Sequence, residues 1–266
     1  MTLIAGFKCS DGIVLAADTE ESTNYTRGRV RKILEHHAPT GAVIAIAGAG
    51  HAPLIDTATE QIFEAIDTVA ASTLTELRAL IRKRLLRLHR LEIARYPTSD
   101  PQETVIDLLY GVRAADGELA LFKSSATALS SVDRYALFGI GAILSHVVEE
   151  LYKQTIDVSR GIALAIHLLN LGKRYVPGVG GDSHIYSLGA TGDLFQEPVG
   201  EIRIKEKYLD KFNRIIAELL LALPADVVAQ SRFGGKVRIS TQLRELMLKQ
   251  SDELIRELID PSEEQD

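Results

Sequence analysis

The chain opens on two short apolar runs, Leu3 to Lys8 and Ile13 to Ala17, separated by Ser10-Asp11-Gly12. An Asp-Gly turn between two such runs predicts a β-hairpin. Residues 20 to 28 are polar and read as a loop. Val30 to Leu34 reads as a short strand, and Ala42 to Ala47 as a buried strand running into Gly48-Ala49-Gly50. The period then changes. Leu54, Ala58, Ile62, Ala65, Ile66 and Val69 recur at helical spacing over Pro53 to Ala71, and Leu77, Ile81, Leu85, Leu88 and Leu91 do so from Leu74 to Arg95. Ser72-Thr73 supplies a cap between the two helices.

Strands are predicted again over Thr104 to Val112, Glu118 to Lys123 and Tyr135 to Phe138, the first two joined by Asp116-Gly117. Helices follow over Ala142 to Lys153 and Val158 to Lys173. Then come a loop at Pro177 to Gly181 and a strand over Ser183 to Leu188, with residues 201 to 204 closing the sheet. Helices in pairs between hairpin-linked strands predict an α+β fold of antiparallel sheets with helical outer layers. Beyond Glu206 two apolar stripes, Phe212-Ile215-Ile216-Leu219-Leu220 and Leu243-Leu246-Met247-Leu254-Leu258, flank a break at Phe233-Gly234-Gly235. They predict a helical C-terminal extension over 206–266, following a main domain of 1–205 and ending in a frayed acidic tail.

Composition narrows the function classes. Lys and Arg number 30 against 36 Asp and Glu, a net charge of −6, which does not suit a nucleic-acid partner. Arg78, Arg82, Lys83, Arg84, Arg87 and Arg90 alternate with leucines as a solvated helix face does. No apolar run reaches the ~18 residues of a membrane span. Neither a signal peptide nor a disulfide is expected, with Cys9 the single cysteine, so a cytoplasmic location is the expectation. The seven histidines show no metal-ligand spacing, so no metal or other cofactor is expected. Gly139-x-Gly141 lacks the βαβ context of a dinucleotide loop. Gly181-Asp182-Ser183 lacks the downstream histidine of a serine esterase, since none follows His184.

The most informative position is Thr2. A small residue after Met1 permits removal of the initiator, which would leave Thr2 with a free α-amine beside its own hydroxyl. A terminal amine of pKa about 7.7–8.0 can take the hydroxyl's proton. The surrounding segments, Thr2-Leu3-Ile4-Ala5-Gly6-Phe7-Lys8 and Asp11-Gly12-Ile13-Val14-Leu15-Ala16-Ala17-Asp18-Thr19, resemble the start of a mature proteasome β-type subunit of bacterial or archaeal kind. Such subunits are N-terminal-nucleophile (Ntn) hydrolases. Lys32-Ile33 and Ala47-Gly48-Ala49-Gly50 extend the resemblance, which covers residues 2 to 204.

The resemblance implies a four-layer αββα sandwich and a threonine peptidase that assembles into a ring or stacked rings, acts on polypeptides and can take a regulatory ATPase partner. It makes Thr2 the nucleophile, Asp18 and Lys32 the charged pair beside it, and Gly50 the oxyanion-facing glycine. It sets Thr19, Glu20 and Ala49 along the substrate cleft. Arg29 or Arg31 is the alternative to Lys32, because the spacing is shorter than in the family. Departures are also visible. Ile140 replaces a helper serine, and Val176 stands where a helper Asp belongs, with Asp182 or Ser183 as substitutes if the loop is re-registered. Glu20 stands where arginine is frequent. A structural subunit without activity, or an Ntn amidase on small molecules, is therefore an alternative to the peptidase.

Overall fold

The structure, a computed structural model, describes residues 2–22, 27–96, 104–152, 154–191 and 194–221. The chain divides into two units, Met1–Ile204 and Lys205–Asp266. The stripe at Leu243 to Leu258, the break at Phe233 to Gly235 and the acidic tail lie outside the described residues.

Twelve strands are described: β1 (Leu3–Lys8), β2 (Gly12–Asp18), β3 (Glu20–Ser22), β4 (Arg27–Arg29), β5 (Ile33–His37), β6 (Val43–Gly50), β7 (Ile106–Arg113), β8 (Leu119–Ser125), β9 (Ala128–Ser131), β10 (Tyr135–Gly139), β11 (Ser183–Gly189) and β12 (Leu194–Gln196). They form two five-stranded antiparallel sheets, β10-β1-β2-β11-β12 and β5-β6-β7-β8-β9, and a small β3-β4 ladder. Five helices are described: α1 (Ala52–Val69), α2 (Leu74–Leu91), α3 (Ser145–Leu151), α4 (Val158–Tyr175) and α5 (Val199–Leu221).

Side-chain alternation sets the packing. Ile4, Ile13, Leu15 and Ala17 of the first sheet meet Val43, Ala45, Ala47, Ala49, Leu109 and Leu121 of the second in one buried cluster. The alternate residues Ile44, Ile46, Leu108, Tyr110 and Val112 turn the other way and pack with α1 and α2. On the outer face of the first sheet α4 comes close, since a β-carbon on Gly161 would meet Cys9 Sγ at 2.7 Å and Val14 Cγ2 at 3.1 Å. Strand β2 is therefore buried along its whole length, which is why it reads as an unbroken apolar run rather than an alternating one. Between α1 and α2, Thr73 caps α2 and Glu76 reaches back to complete a capping box.

Several sequence expectations are corrected. The polar stretch 20 to 28 holds the β3-β4 ladder in its described part, and the strand expected from Val30 begins at Ile33. The helix expected over Ala142 to Lys153 is a 3-10 turn at Ile140–Leu144 followed by the short α3. Residues 201 to 204 do not close the sheet, because they lie inside α5 and β12 takes the edge position. Glu-Ile-Arg-Ile alternates over too few residues to separate strand from helix. In the helix Ile202 is buried while Ile204 is 54% exposed. Strand β9, Ala-Leu-Ser-Ser, carries no apolar period and exists through its pairing with β8.

The basic residues Arg78, Arg82, Lys83, Arg87 and Arg90 are exposed on α2. Among the described residues no helix is long and apolar enough to cross a membrane. Cys9 is buried under α4, and burial first, then the carboxylates of Asp11 and Asp157, pushes its thiol up to about 12. A maleimide or aromatic disulfide at pH 8 is expected to leave native Cys9 unmodified and to label it after denaturation. Rapid labelling of the native chain would contradict the buried position.

Candidate active site

Asp18 ends β2 directly after the buried run and is fully enclosed, with 0% exposure. A carboxylate in that position needs donors, and the structure supplies four. Oδ1 accepts the Leu3 N–H at 2.9 Å and the Lys32 ammonium at 2.9 Å. Oδ2 accepts the N–H groups of Glu20 and Gly180, both at 3.2 Å. Lys32 is itself anchored. Its Nζ donates to the Glu20 carbonyl at 2.6 Å, and its own carbonyl accepts the Gly48 N–H at 3.1 Å. The Lys32 side chain is only 7% exposed. Burial pulls its ammonium below the ordinary lysine range, and the Asp18 carboxylate opposes that pull without cancelling it.

The arginines that competed with Lys32 in the sequence are occupied elsewhere. Arg29 pairs with Asp182 at 3.2 Å, and Arg31 donates to the Tyr186 hydroxyl at 2.7 Å and pairs with Glu35.

Thr2 lies one residue before β1, next to the Leu3 N–H that Asp18 holds. Leu3 pairs with Gly139 on its other side, so β10 also fixes the start of the strand. Gly139 has φ +79° and ψ −168°, and a β-carbon there would lie 2.1 Å from the Thr2 carbonyl oxygen and 3.5 Å from Ala49 Cβ. The strand start and the end of β6 thus meet across Gly139. Gly50 follows Ala49 at φ +121°, where a β-carbon would fall 2.0 Å from the Val105 carbonyl oxygen, so only glycine fits. The next residue, His51, caps α1 by accepting the Leu54 N–H on Nδ1. Thr2, Asp18, Lys32, Ala49 and Gly50 are therefore gathered at one end of the two sheets.

Thr19 and Glu20 belong to the same end but face the loop before β11. Both of their N–H groups donate to the Gly180 carbonyl, and Thr19 Oγ1 accepts the Asp182 N–H at 2.7 Å. The substitute helpers are not free for Thr2. Asp182 turns its carboxylate to Arg203 and Arg29, and Arg203 above all holds that carboxyl below its usual range. Ser183 is buried opposite Asp18 in the register. Ile140 is 42% exposed, and Val176 is buried.

The sequence reading missed Gly180, whose N–H and C=O clamp the Asp18-Thr19-Glu20 segment. Its signal was the pair of glycines at Gly180-Gly181, which the sequence showed only as part of the loop from Pro177 to Gly181. Among the described residues no three His, Cys, Asp or Glu side chains gather as a metal site. A cavity of about 290 Å³ lined by Leu74, Arg78, Phe122 and Val132 shares no residue with this cluster.

The two antiparallel five-stranded sheets and their helices have a proteasome-like fold, as the likeness to solved structures shows. Among solved structures it is similar to Anbu, the ancestral beta-subunit. The Yersinia bercovieri protein superposes with a TM-score of 0.68 at 13% identity, over 84% of this chain and 98% of that one. Anbu from Hyphomicrobium sp. strain MC1 gives 0.70 at 12% identity over 84% and 98%. The helical assembly of the Anbu complex from Pseudomonas aeruginosa gives 0.66 at 13% over 84% and 97%. No protein-family model matches the sequence, and no curated protein matches it.

Proposed function

We propose that the chain is a threonine peptidase of proteasome β type, with residues 1–205 as a four-layer αββα Ntn-hydrolase domain and 206–266 as a helical extension. The observation that carries this reading is the shared oxygen of Asp18, which ties Lys32 Nζ to the N–H next to Thr2.

With Met1 removed, the Thr2 amine takes the hydroxyl proton as Oγ1 attacks a peptide carbonyl. The Lys32 ammonium disfavours protonation of that amine and so keeps it unprotonated and available as a base. The Gly50 N–H faces the developing oxyanion. The same amine then hands the proton to the departing amine of the cleaved peptide. An acyl-enzyme remains, and water hydrolyses it. Ala49, Thr19 and Glu20 line the cleft. The Pseudomonas protein's helical assembly supports self-association of this chain, for which we propose a ring or stacked rings. A polypeptide substrate, a regulatory ATPase partner and a cytoplasmic site of action complete the proposal and come from the sequence resemblance alone.

A second reading, a structural subunit with little or no activity, is favoured by the two helper positions. Ile140 and Val176 offer no proton donor or acceptor, and Asp182 is held by arginines. An amidase acting on small molecules uses the same nucleophile. Intact mass and an N-terminal-threonine electrophile, an epoxyketone or β-lactone, separate these readings. The peptidase requires loss of Met1, one adduct per chain, and no adduct on Thr2→Ala. A processed chain that takes no label is the structural subunit. Cleavage of small amides without cleavage of unfolded polypeptide marks the amidase.

A further inference from the structure

Strand β7 carries a carboxylate that neither the core nor the proposed chemistry uses. Asp107 pairs directly with Ala49 on β6, which sets their β-carbons about 5 Å apart on one face. That face is the inner one between the sheets. Ala45, Ala47 and Ala49 line it on β6 and Leu109 on β7, while Ile106 and Leu108 point to the helices. Thr2 falls on the same inner face by alternation with Ile4, which is buried in that cluster.

Asp107 is half-buried, and its Oδ1 is shut off from solvent with no hydrogen-bond partner among the described residues. Across the strand it faces Ser125, with exposed Lys123 diagonal to it, and no ion pair joins Lys123 to Asp107. Buried carboxylate oxygens are ordinarily satisfied. Here a carboxyl group stands on the inner face beside the small Ala49, whose β-carbon approaches Gly139 where that glycine crowds the Thr2 carbonyl.

We infer that Asp107 is a specificity-determining residue that receives a basic side chain, lysine or arginine, next to the bond that Thr2 attacks. This rests on the peptidase reading above. Ala49 leaves room for a long aliphatic stem, and the carboxylate at its flank takes the cationic head. An acidic side chain in the same place meets like charge and is rejected.

The test uses the full processed chain and peptide epoxyketones that differ only in the side chain adjacent to the warhead, arginine, norleucine or glutamate, together with a small β-lactone that carries no such side chain. Arginine is expected to label at least about tenfold faster than norleucine, with glutamate slowest. Asp107→Asn should bring the arginine and norleucine rates to within about twofold while leaving the lactone rate unchanged. Asp107→Lys should invert the order in favour of glutamate. Lactone labelling with equal arginine and norleucine rates overturns this inference and leaves the peptidase standing. Failure of the lactone and of every peptide to label overturns the peptidase and this inference together.

Discussion

Asp18→Ala is expected to destabilise the chain by about 3–5 kcal/mol and to abolish labelling of Thr2. The substitution leaves the Lys32 ammonium enclosed without its carboxylate and strips acceptors from the N–H groups of Leu3, Glu20 and Gly180. Asp18→Asn keeps an oxygen for the Leu3 N–H and should lose less. In a double-variant cycle, Lys32→Met should restore part of the stability lost in Asp18→Ala, because the uncompensated cation goes with it.

The pH dependence has a defined sign. Lys32 titrates below its ordinary 10.5 in the fold. Loss of Asp18 removes the largest influence holding it up. Between the folded pKa and that of the unfolded chain, the unfolded state binds more protons, so stability rises with pH there. The deficit of Asp18→Ala relative to wild type should therefore shrink as pH rises through that window. Denaturant unfolding at several pH values reads both effects, and a deficit independent of pH would show that Lys32 is not buried against Asp18.

Gly139→Ala is expected to cost about 3 kcal/mol or more. Its φ of +79° with ψ of −168° is a region open essentially to glycine alone, and the added methyl would collide with the Thr2 carbonyl. Relief requires the start of β1 to move away from β10, which carries Thr2 off the Asp18–Lys32 pair. Thr2 labelling should fall even in a variant that folds. Gly200→Ala is the matched control. Nothing lies within 4 Å of its added β-carbon, and its place in α5 makes the change neutral or stabilising by up to about 1 kcal/mol. Equal losses in the two variants would contradict the crowded contact at Gly139.

The strands and helices that were legible along the chain are those with many apolar positions to set a period. The β1–β2 hairpin carries an Asp-Gly turn between two buried runs, and α1, α2 and α4 show sustained stripes. Short elements escaped. Strands β9 and β12 bury little and owe their conformation to the neighbour they pair with, so no local pattern announces them. Residues 201 to 204 alternate like a strand but continue into a helix.

In the candidate site, Thr2, Asp18 and Gly50 were legible through the resemblance of the segments around them to the start of a proteasome β-type subunit, with Thr2 before the first apolar run and Asp18 and Gly50 closing later ones. The resemblance pointed to Lys32, but the spacing left Arg29 and Arg31 as alternatives that only the structure removes. Three basic residues at close spacing carry no local mark of their direction: Arg29 ends β4 against β3, while the Gly48 N–H fixes the Lys32 carbonyl just before β5. Asp107 was invisible for a related reason. Its significance comes from lying across from Ala49, a residue far from it in sequence.

Local periodicity, turn chemistry and the order of small, acidic and apolar residues thus determined the element types, the antiparallel hairpins and the candidate nucleophile, because those depend on neighbours along the chain. Tertiary structure decided which cation meets Asp18, which glycine must lack a side chain, and which carboxyl group lies across from Ala49. Each of those depends on strands brought into register from distant segments, and only the folded backbone sets that register.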